Sequence, residues 1–550
     1  MEGGKVSRPA IEGHLWDTFR AMANRIDSSC LRSDRRRFLK AVGSGAVSLV
    51  TTANAWPQME PKKSLPNIVY VLADDLGYGD TSCYNSESKI STPNIDRLAT
   101  QGMRFTDAHS PSAICVPTRY GILTGRYCWR TWLKRGGGSS YDSPLIERDR
   151  LTVASLLKKN SYATACIGKW HLGLGWVAKG NSSANVEKLV PSPACSGGPA
   201  SDCNVDFAKD LTDSPLDHGF GYTFFIPGAA SESPWVFIRN RHLLNSHLVY
   251  KSAAELNNVR SGLVAIDWKQ EDIDPTFIGE AVSFIERHHK EKPGQPFFLY
   301  LPISSPHDPP IPPSFIKGKS GLCERADMVM LADWDLGQIM ATLDRLNLSK
   351  NTLLIFTSDN GPLPICGDQH AVVVGDANKG HSSAGKWRGF KSQVWEGGTR
   401  IPFIARWPGK IKPGTISSEP IELNDLMATC AAITGTRLPP NAGEDSYNIL
   451  PALLGEKLKK PIREAVVSQS SSGVFGIREG DWKLIVGTTG SGGWVPPSGG
   501  PPKPGAPGQL YNLAEDPAEG KNLWDKHPEV VKRLSALLER YKQDGRSAPR

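Results

Sequence analysis

Five short apolar runs, each rich in β-branched or aromatic residues, punctuate this chain. They are NIVYVLADD (67–75), YATACIGKWH (162–171), PFFLYLPISSPH (296–307), NTLLIFTSDNG (351–361) and IPFIARWP (401–408). Runs so uniformly apolar lack the alternation of a half-solvated sheet, so the sheet they build must be covered on both faces. Helical patterns lie between them, at 94–101, 152–160, 277–290 and 324–346. In the last, Ala332, Leu336, Ile339, Met340 and Leu343 recur on one helical face. Strands alternating with helices predict an α/β fold around a mainly parallel or mixed sheet.

Past about residue 455 the texture changes. VFGIREGDWKLIVG (474–487) predicts a hairpin turning at Glu479-Gly480-Asp481. The Gly/Pro-rich stretch 487–508 reads as a long loop, and HPEVVKRLSALLERYKQ (527–543) as an amphipathic helix. The expected organisation is a large domain over 56–455 and a smaller α+β domain over 456–550.

Ligands of open α/β sheets bind beyond the carboxyl ends of the strands. The first run ends in Asp74-Asp75, the second in Lys169-Trp170-His171, the third in His307 and the fourth in Asp359-Asn360. Each group alone has a bland reading, as a solvated strand end, a turn or a surface histidine. Four strand ends of this kind together point to a site. Three carboxylates and an amide are hard oxygen ligands, suited to Ca²⁺ or Mg²⁺ rather than zinc. The accompanying lysines, histidines and Arg119 call for an anionic substrate, a phosphate or sulfate ester.

SAICVPTRYGILTGRY (112–127) adds Cys115, with Pro117 and Arg119 after it at the start of a helical pattern. One reading is a buried cysteine with proline in a first helical turn. The other places Cys115 at a helix N-terminus, where backbone N–H groups favour an anion.

Charge and targeting narrow the class. The net charge is +8, but residues 1–55 hold nine Lys/Arg and five Asp/Glu, leaving 55 against 51 from Trp56 onward. With no basic run in the body, nucleic acid is excluded as a partner. DRRRFLKAVGSGAVSLVTTANA (34–55) has a basic segment, a short mildly apolar stretch and a small-x-small site at Ala53-Asn54-Ala55. It reads as an export signal, too short to span a membrane. Arg-Arg-x-Phe-Leu-Lys at 35–40 is similar to a twin-arginine signal, implying a bacterial protein exported to the periplasm or outside by the twin-arginine machinery. The mature chain is expected to begin near Trp56, and the stretch before Arg35 is unusually long for such a signal. In an oxidising compartment Cys195 and Cys203, in the loop PSPACSGGPASDCNV, are the expected disulfide.

CVPTRYGILTGRY resembles the signature of the type I sulfatases, in which Cys-x-Pro-x-Arg directs oxidation of the cysteine to Cα-formylglycine. The resemblance runs from about residue 66 to 545. It includes NIVYVLADDLGYGD, GKWHLG, SPHDP, SDNG and GFKSQVWEGGTRIP in family order, and LYNLAEDPAEGKNL near the end. It implies an alkaline-phosphatase-like large domain and a secreted, arylsulfatase-like sulfuric ester hydrolase acting on a sulfated carbohydrate or aryl sulfate. It further implies one calcium ion held by Asp74, Asp75, Asp359, Asn360 and the modified Cys115. Arg119 would hold the hydrated aldehyde, Lys169 and Lys391 the sulfate, and His171 and His307 would be the catalytic histidines. A formylglycine-generating or maturase enzyme is the implied partner. Lys386 rivals Lys391, which has the better spacing from Glu396-Gly397-Gly398. The loops 174–210 and 487–508 are particular to this chain, and Trp235 and Arg239 in SPWVFIRNRH are candidate specificity residues. The alternatives are a phosphoesterase or phosphonate hydrolase of the same superfamily, and an inactive protein that binds sulfated glycans.

Overall fold

The computed structural model describes residues 65–180, 195, 202–256, 260–363, 380–487, 491–493 and 507–549. The expected export signal and most of the loop 487–508 lie outside these residues. Ten strands form one mixed sheet: β1 (Asn67–Ala73), β2 (Met103–Phe105), β3 (Ala163–Lys169), β4 (Tyr222–Ile226), β5 (Ile238–Arg239), β6 (His242–Leu243), β7 (Phe297–Pro302), β8 (Thr352–Ser358), β9 (Phe403–Arg406) and β10 (Thr415–Ser417). Their order is β10-β2-β9-β8-β1-β7-β3-β4-β5-β6. From β8 through β4 every neighbouring pair is parallel, while β8–β9, β9–β2, β4–β5 and β5–β6 are antiparallel.

The uniform apolarity of β1 has a direct structural cause. Ile68, Tyr70 and Leu72 point into one core, and Val69, Val71 and Ala73 into the other, all with essentially no exposure. Helices α1 (Pro93–Gln101), α4 (Ile273–Glu291) and α5 (Glu324–Arg345) pack on the second face. The predicted stripe of α5 from Ala332 to Leu343 lies wholly in that core. Helices α2 (Cys115–Thr124), α3 (Val153–Lys159) and α6 (Leu426–Thr434) belong to the first face. Among the described residues no helix is long and apolar enough to cross a membrane.

A small antiparallel sheet follows, of β11 (Val466–Gln469), β12 (Phe475–Glu479), β13 (Trp482–Val486) and β14 (Gly508–Asn512). The predicted hairpin is β12–β13, with Glu479 opposite Trp482. Helix α7 (Pro528–Gln543) buries Val530, Leu534, Leu537, Leu538 and Tyr541 against this sheet. Gln469, at the end of β11, accepts the Ala113 amide at 2.8 Å, which brings the small sheet up to the segment entering α2. Cys195 and Cys203 form the expected disulfide.

Candidate active site

The strand order explains why the chemistry converges. β8, β1, β7 and β3 are adjacent and parallel, so their carboxyl ends meet at one edge. That edge carries Asp359-Asn360, Asp74-Asp75, His307 and Lys169-His171 side by side. Asp75 and His171 leave their strands at φ +66° and +56°, left-handed conformations unusual for non-glycine residues and concentrated at functional sites. Gly361 ends the Asp359-Asn360 turn because nothing larger fits. A Cβ there would come within 1.9 Å of the Gly397 carbonyl oxygen.

Helix α2 enters this edge from the side. All ten of its residues are buried, Cys115 is its first residue, and Ile114 ahead of it is extended. Arg119 lies one turn on, on the same helical face. Its Nη2 and Nε both donate to Asp359 Oδ2, at 2.7 and 3.1 Å, and its Nη1 donates to the Lys169 carbonyl at 3.3 Å. In this arrangement Arg119 orders the carboxylates as well as facing the Cys115 end of the helix.

Three cations meet three carboxylates. Lys169 Nζ donates to Asp74 Oδ2 and Lys391 Nζ to Asp75 Oδ2, each at 2.7 Å, and Arg119 takes Asp359. Lys391 also lies 2.9 Å from His307 Nε2, whose Nδ1 is 2.6 Å from the Asp308 carbonyl oxygen. Nδ1 thus faces a carbonyl oxygen, while Nε2 faces Lys391 and lies 3.7 Å from Asp75 Oδ2. Burial alone would raise Asp74, yet Lys169, His307 and Arg119 hold it well below the carboxylate range. Burial, reinforced by the charge of Asp74, pushes Asp359 well above it. Lys386 is exposed and lies over the Trp387 ring, so of the two rival lysines only Lys391 reaches this cluster.

Two oxygens here, Asp74 Oδ1 and Asn360 Oδ1, are buried without a hydrogen-bond donor. Buried acceptors are rarely left so. Together with Asp75, whose Oδ1 accepts Asn360 Nδ2 at 2.7 Å, they form an all-oxygen cradle of the kind hard divalent cations take. Asp74, Asp75 and His307 each offer a ligand atom within 4.8 Å of the others. The donor set therefore fits a divalent metal, with Asp359 and Asn360 at the same edge.

Cys115 Sγ lies 3.4 Å from His171 Nδ1. Burial would raise the thiol, but Lys169 and His171 outweigh it and bring it down to about 5. Burial would lower His171, but the Cys115 and Glu232 charges lift it to about 9. Glu232 Oε2 is 3.1 Å from His171 Nε2, and its other oxygen accepts from Arg260 at 2.8 Å. Sequence reasoning missed Glu232. The signal was YTFFI (222–226), a short aromatic strand whose carboxyl end leads into the loop that carries it.

Supporting contacts were equally hidden. Arg325 donates to the Asp75 carbonyl at 3.1 Å and to Asp80 Oδ2 at 2.6 Å. Asp274 accepts the amides of Ser304 and Ser305 at 2.7 and 2.8 Å, holding the turn that leads to His307. The expectation for Trp235 and Arg239 is corrected. Trp235 is buried, its Nε1 donating to the Ala230 carbonyl at 2.7 Å, and Arg239 pairs with Glu280 at 3.1 Å. Apolar packing accounts for the tryptophan and a half-exposed ion pair for the arginine.

A buried cysteine at a helix N-terminus, paired cations and an oxygen cradle on one edge of a covered sheet point to a hydrolase of anionic esters. The sulfatase family profile matches residues 66–436, and the chain belongs to the sulfatase family. It is 36% identical to an N-acetylgalactosamine-6-O-sulfatase of Bacteroides thetaiotaomicron, over 90% of this chain and 97% of that protein. It is 29% identical to human arylsulfatase A over 86% of this chain and 87% of that one. A solved 6S-sulfatase of Bacteroides thetaiotaomicron glycosaminoglycan metabolism superposes with a TM-score of 0.74 at 36% identity. That match covers 87% of this chain and all of the other.

Proposed function

We propose that this sulfatase is an exported, calcium-dependent enzyme that removes sulfate from saccharides through formylglycine at position 115, with 6-O-sulfated N-acetylgalactosamine the first substrate to test. The similarity to the Bacteroides 6-O-sulfatase along nearly its whole length carries the saccharide reading. The oxygen cradle of Asp74, Asp75 and Asn360, with Asp359 at the same edge, supports calcium. The division into a signal over 1–55, a catalytic domain over 56–455 and a smaller domain over 456–550 belongs to the same reading.

An unmodified thiolate attacking sulfur would end in a stable thiosulfate adduct. Formylglycine would supply a hydrated-aldehyde oxygen as nucleophile, and calcium would draw charge from the sulfate oxygens. Lys169 and Lys391 bind and neutralise the sulfate group. His171, beside position 115, takes the proton from that side chain in its neutral form, since the Cys115 charge that lifts it is gone once formylglycine stands there. Glu232 stabilises the imidazolium that results. His307 protonates the leaving alcohol at Nε2, the atom facing Lys391.

The acid role makes a graded prediction. A sugar hydroxyl leaves only when protonated, whereas a nitrophenolate departs nearly unaided. General acid catalysis contributes typically about 10²–10⁴-fold, and less as the leaving group improves. Sulfate release by His307→Ala should therefore fall far more on a sulfated sugar than on nitrophenyl sulfate, under conditions where sulfate transfer limits turnover. Equal losses on both would move the acid role to Lys391. Absence of sulfate release from every sulfated saccharide, with aryl sulfates still cleaved, would remove the saccharide reading.

Export has its own test. Replacing Arg35 and Arg36 with lysine should block secretion, and secreted protein should begin near Trp56. A secreted chain that starts well before Arg35 would contradict the signal assignment.

A further inference from the structure

Trp132 is 55% exposed, whereas Trp170, Trp235 and Trp395 are among the most deeply buried side chains of the molecule. An indole is a large apolar surface to leave in water, and its flat ring is suited to stacking against a ligand. Trp132 lies in the segment that follows α2, and that segment is tied down. Leu133 N donates to Thr131 Oγ1 at 3.1 Å, and Gln469 Nε2 to the Lys134 carbonyl at 3.1 Å. Gly136 N donates to the Ser471 carbonyl at 2.8 Å. The backbone that carries Trp132 is thus tied down, and its ring is left uncovered.

Its neighbours are those of the reacting position. Trp132, Val116, Gly138, Asp142 and His171 line one small crevice of about 10 Å³, so a sugar ring would lie over its mouth, against the exposed indole, rather than inside it. Val116 follows Cys115 directly, and His171 is the histidine 3.4 Å from the Cys115 sulfur. Gly136 and Gly138, at φ +82° and +72°, bend the chain down onto Asp142, whose Oδ2 accepts the Ser139 amide at 2.8 Å. A Cβ at Gly138 would stand 3.1 Å from that oxygen, so the bend needs glycine to come this close.

A flat apolar face next to a carboxylate acceptor suits a pyranose, which has a C–H face and hydroxyl donors around its rim. A sulfate ion needs neither. We infer that Trp132, with Asp142, forms a sugar-binding subsite on which the saccharide part of the ester rests while its sulfate enters the lysine cluster beyond His171. This rests on the saccharide reading above and names the residue that recognises the ring.

The test uses the full chain with Cys115→Ala, which cannot turn substrate over, titrated separately with N-acetylgalactosamine 6-sulfate and with inorganic sulfate. Adding Trp132→Ala should weaken the sugar sulfate about tenfold or more. It should change inorganic sulfate by no more than about twofold, as expected of a site outside the sulfate pocket. Trp132→Phe, which keeps a ring, should retain most of the sugar affinity. Unchanged sugar affinity in Trp132→Ala overturns the subsite and leaves the saccharide reading standing. Equal weakening of both ligands overturns it too, as a disturbance of the sulfate pocket. A parent protein that binds inorganic sulfate but not the sugar sulfate removes the substrate reading and the subsite with it.

Discussion

Alanine in place of Cys115 is expected to give a folded protein whose sulfatase turnover falls by at least about 10⁴-fold, the scale on which removal of a covalent nucleophile acts. The fold should survive because the change is small. Cys115 occupies the first position of α2, where alanine is well tolerated, and loses only one buried sulfur. A cavity of that size costs about 1 kcal/mol, so thermal unfolding should move by no more than about 3 °C. The chemistry should not survive. In the proposed mechanism Lys169, Lys391, His171 and His307 would still bind and polarise the ester, but no side chain would be left at position 115 to attack it. Peptide mass spectrometry of active wild-type protein should show the aldehyde or its hydrate at position 115 in place of the thiol. Full activity in a preparation containing only the thiol would refute the formylglycine reading.

The second large effect is on the metal. Asp359→Ala should lower metal affinity by at least about 100-fold and abolish activity at ordinary calcium concentrations. The carboxylate does two jobs at once. It is one of the proposed calcium ligands, and it receives two donors of the wholly buried Arg119. Removing it leaves that guanidinium without its main partner, which costs about 3–5 kcal/mol in stability. Asp359→Asn separates the two effects, since the amide preserves shape and one acceptor while losing the charge. It should fold better than the alanine variant, bind metal weakly, and recover part of its activity at high calcium. Metal analysis of the wild type should find one calcium or magnesium per chain. Stoichiometric zinc with neither would overturn the assignment.

The fold was legible where local pattern sufficed. All five apolar runs became strands, trimmed by their polar ends, because a buried strand shows itself in its own composition. Helices α1, α3 and α5 and the hairpin β12–β13 followed from periodicity and turn chemistry in the same way. The strands missed include β2, β4, β5, β6, β10, β11 and β14, which are too short to show a period above background. In the site, Asp74, Asp75, Asp359 and Asn360 could be singled out because each directly follows a buried strand, where a polar side chain is otherwise hard to explain. Glu232 was signalled only by the short strand β4 ahead of its loop, and Asp142 and Trp132 have no marker at all. They lie in irregular segments, where nothing near them in the chain says what they face.

By itself the sequence determined which chemical groups this protein has to work with, because each is attached to an element whose identity is local. Tertiary structure alone decided who meets whom. Asp75 binds Lys391 across 316 residues, and its amide meets Asp359 across 284. Lys391 was brought to the cluster and Lys386 left in solvent, though only four residues separate them. Such pairings depend on the order β8-β1-β7-β3 in the sheet. That order is set by how both cores close around the strands, and no local period of apolar residues encodes it.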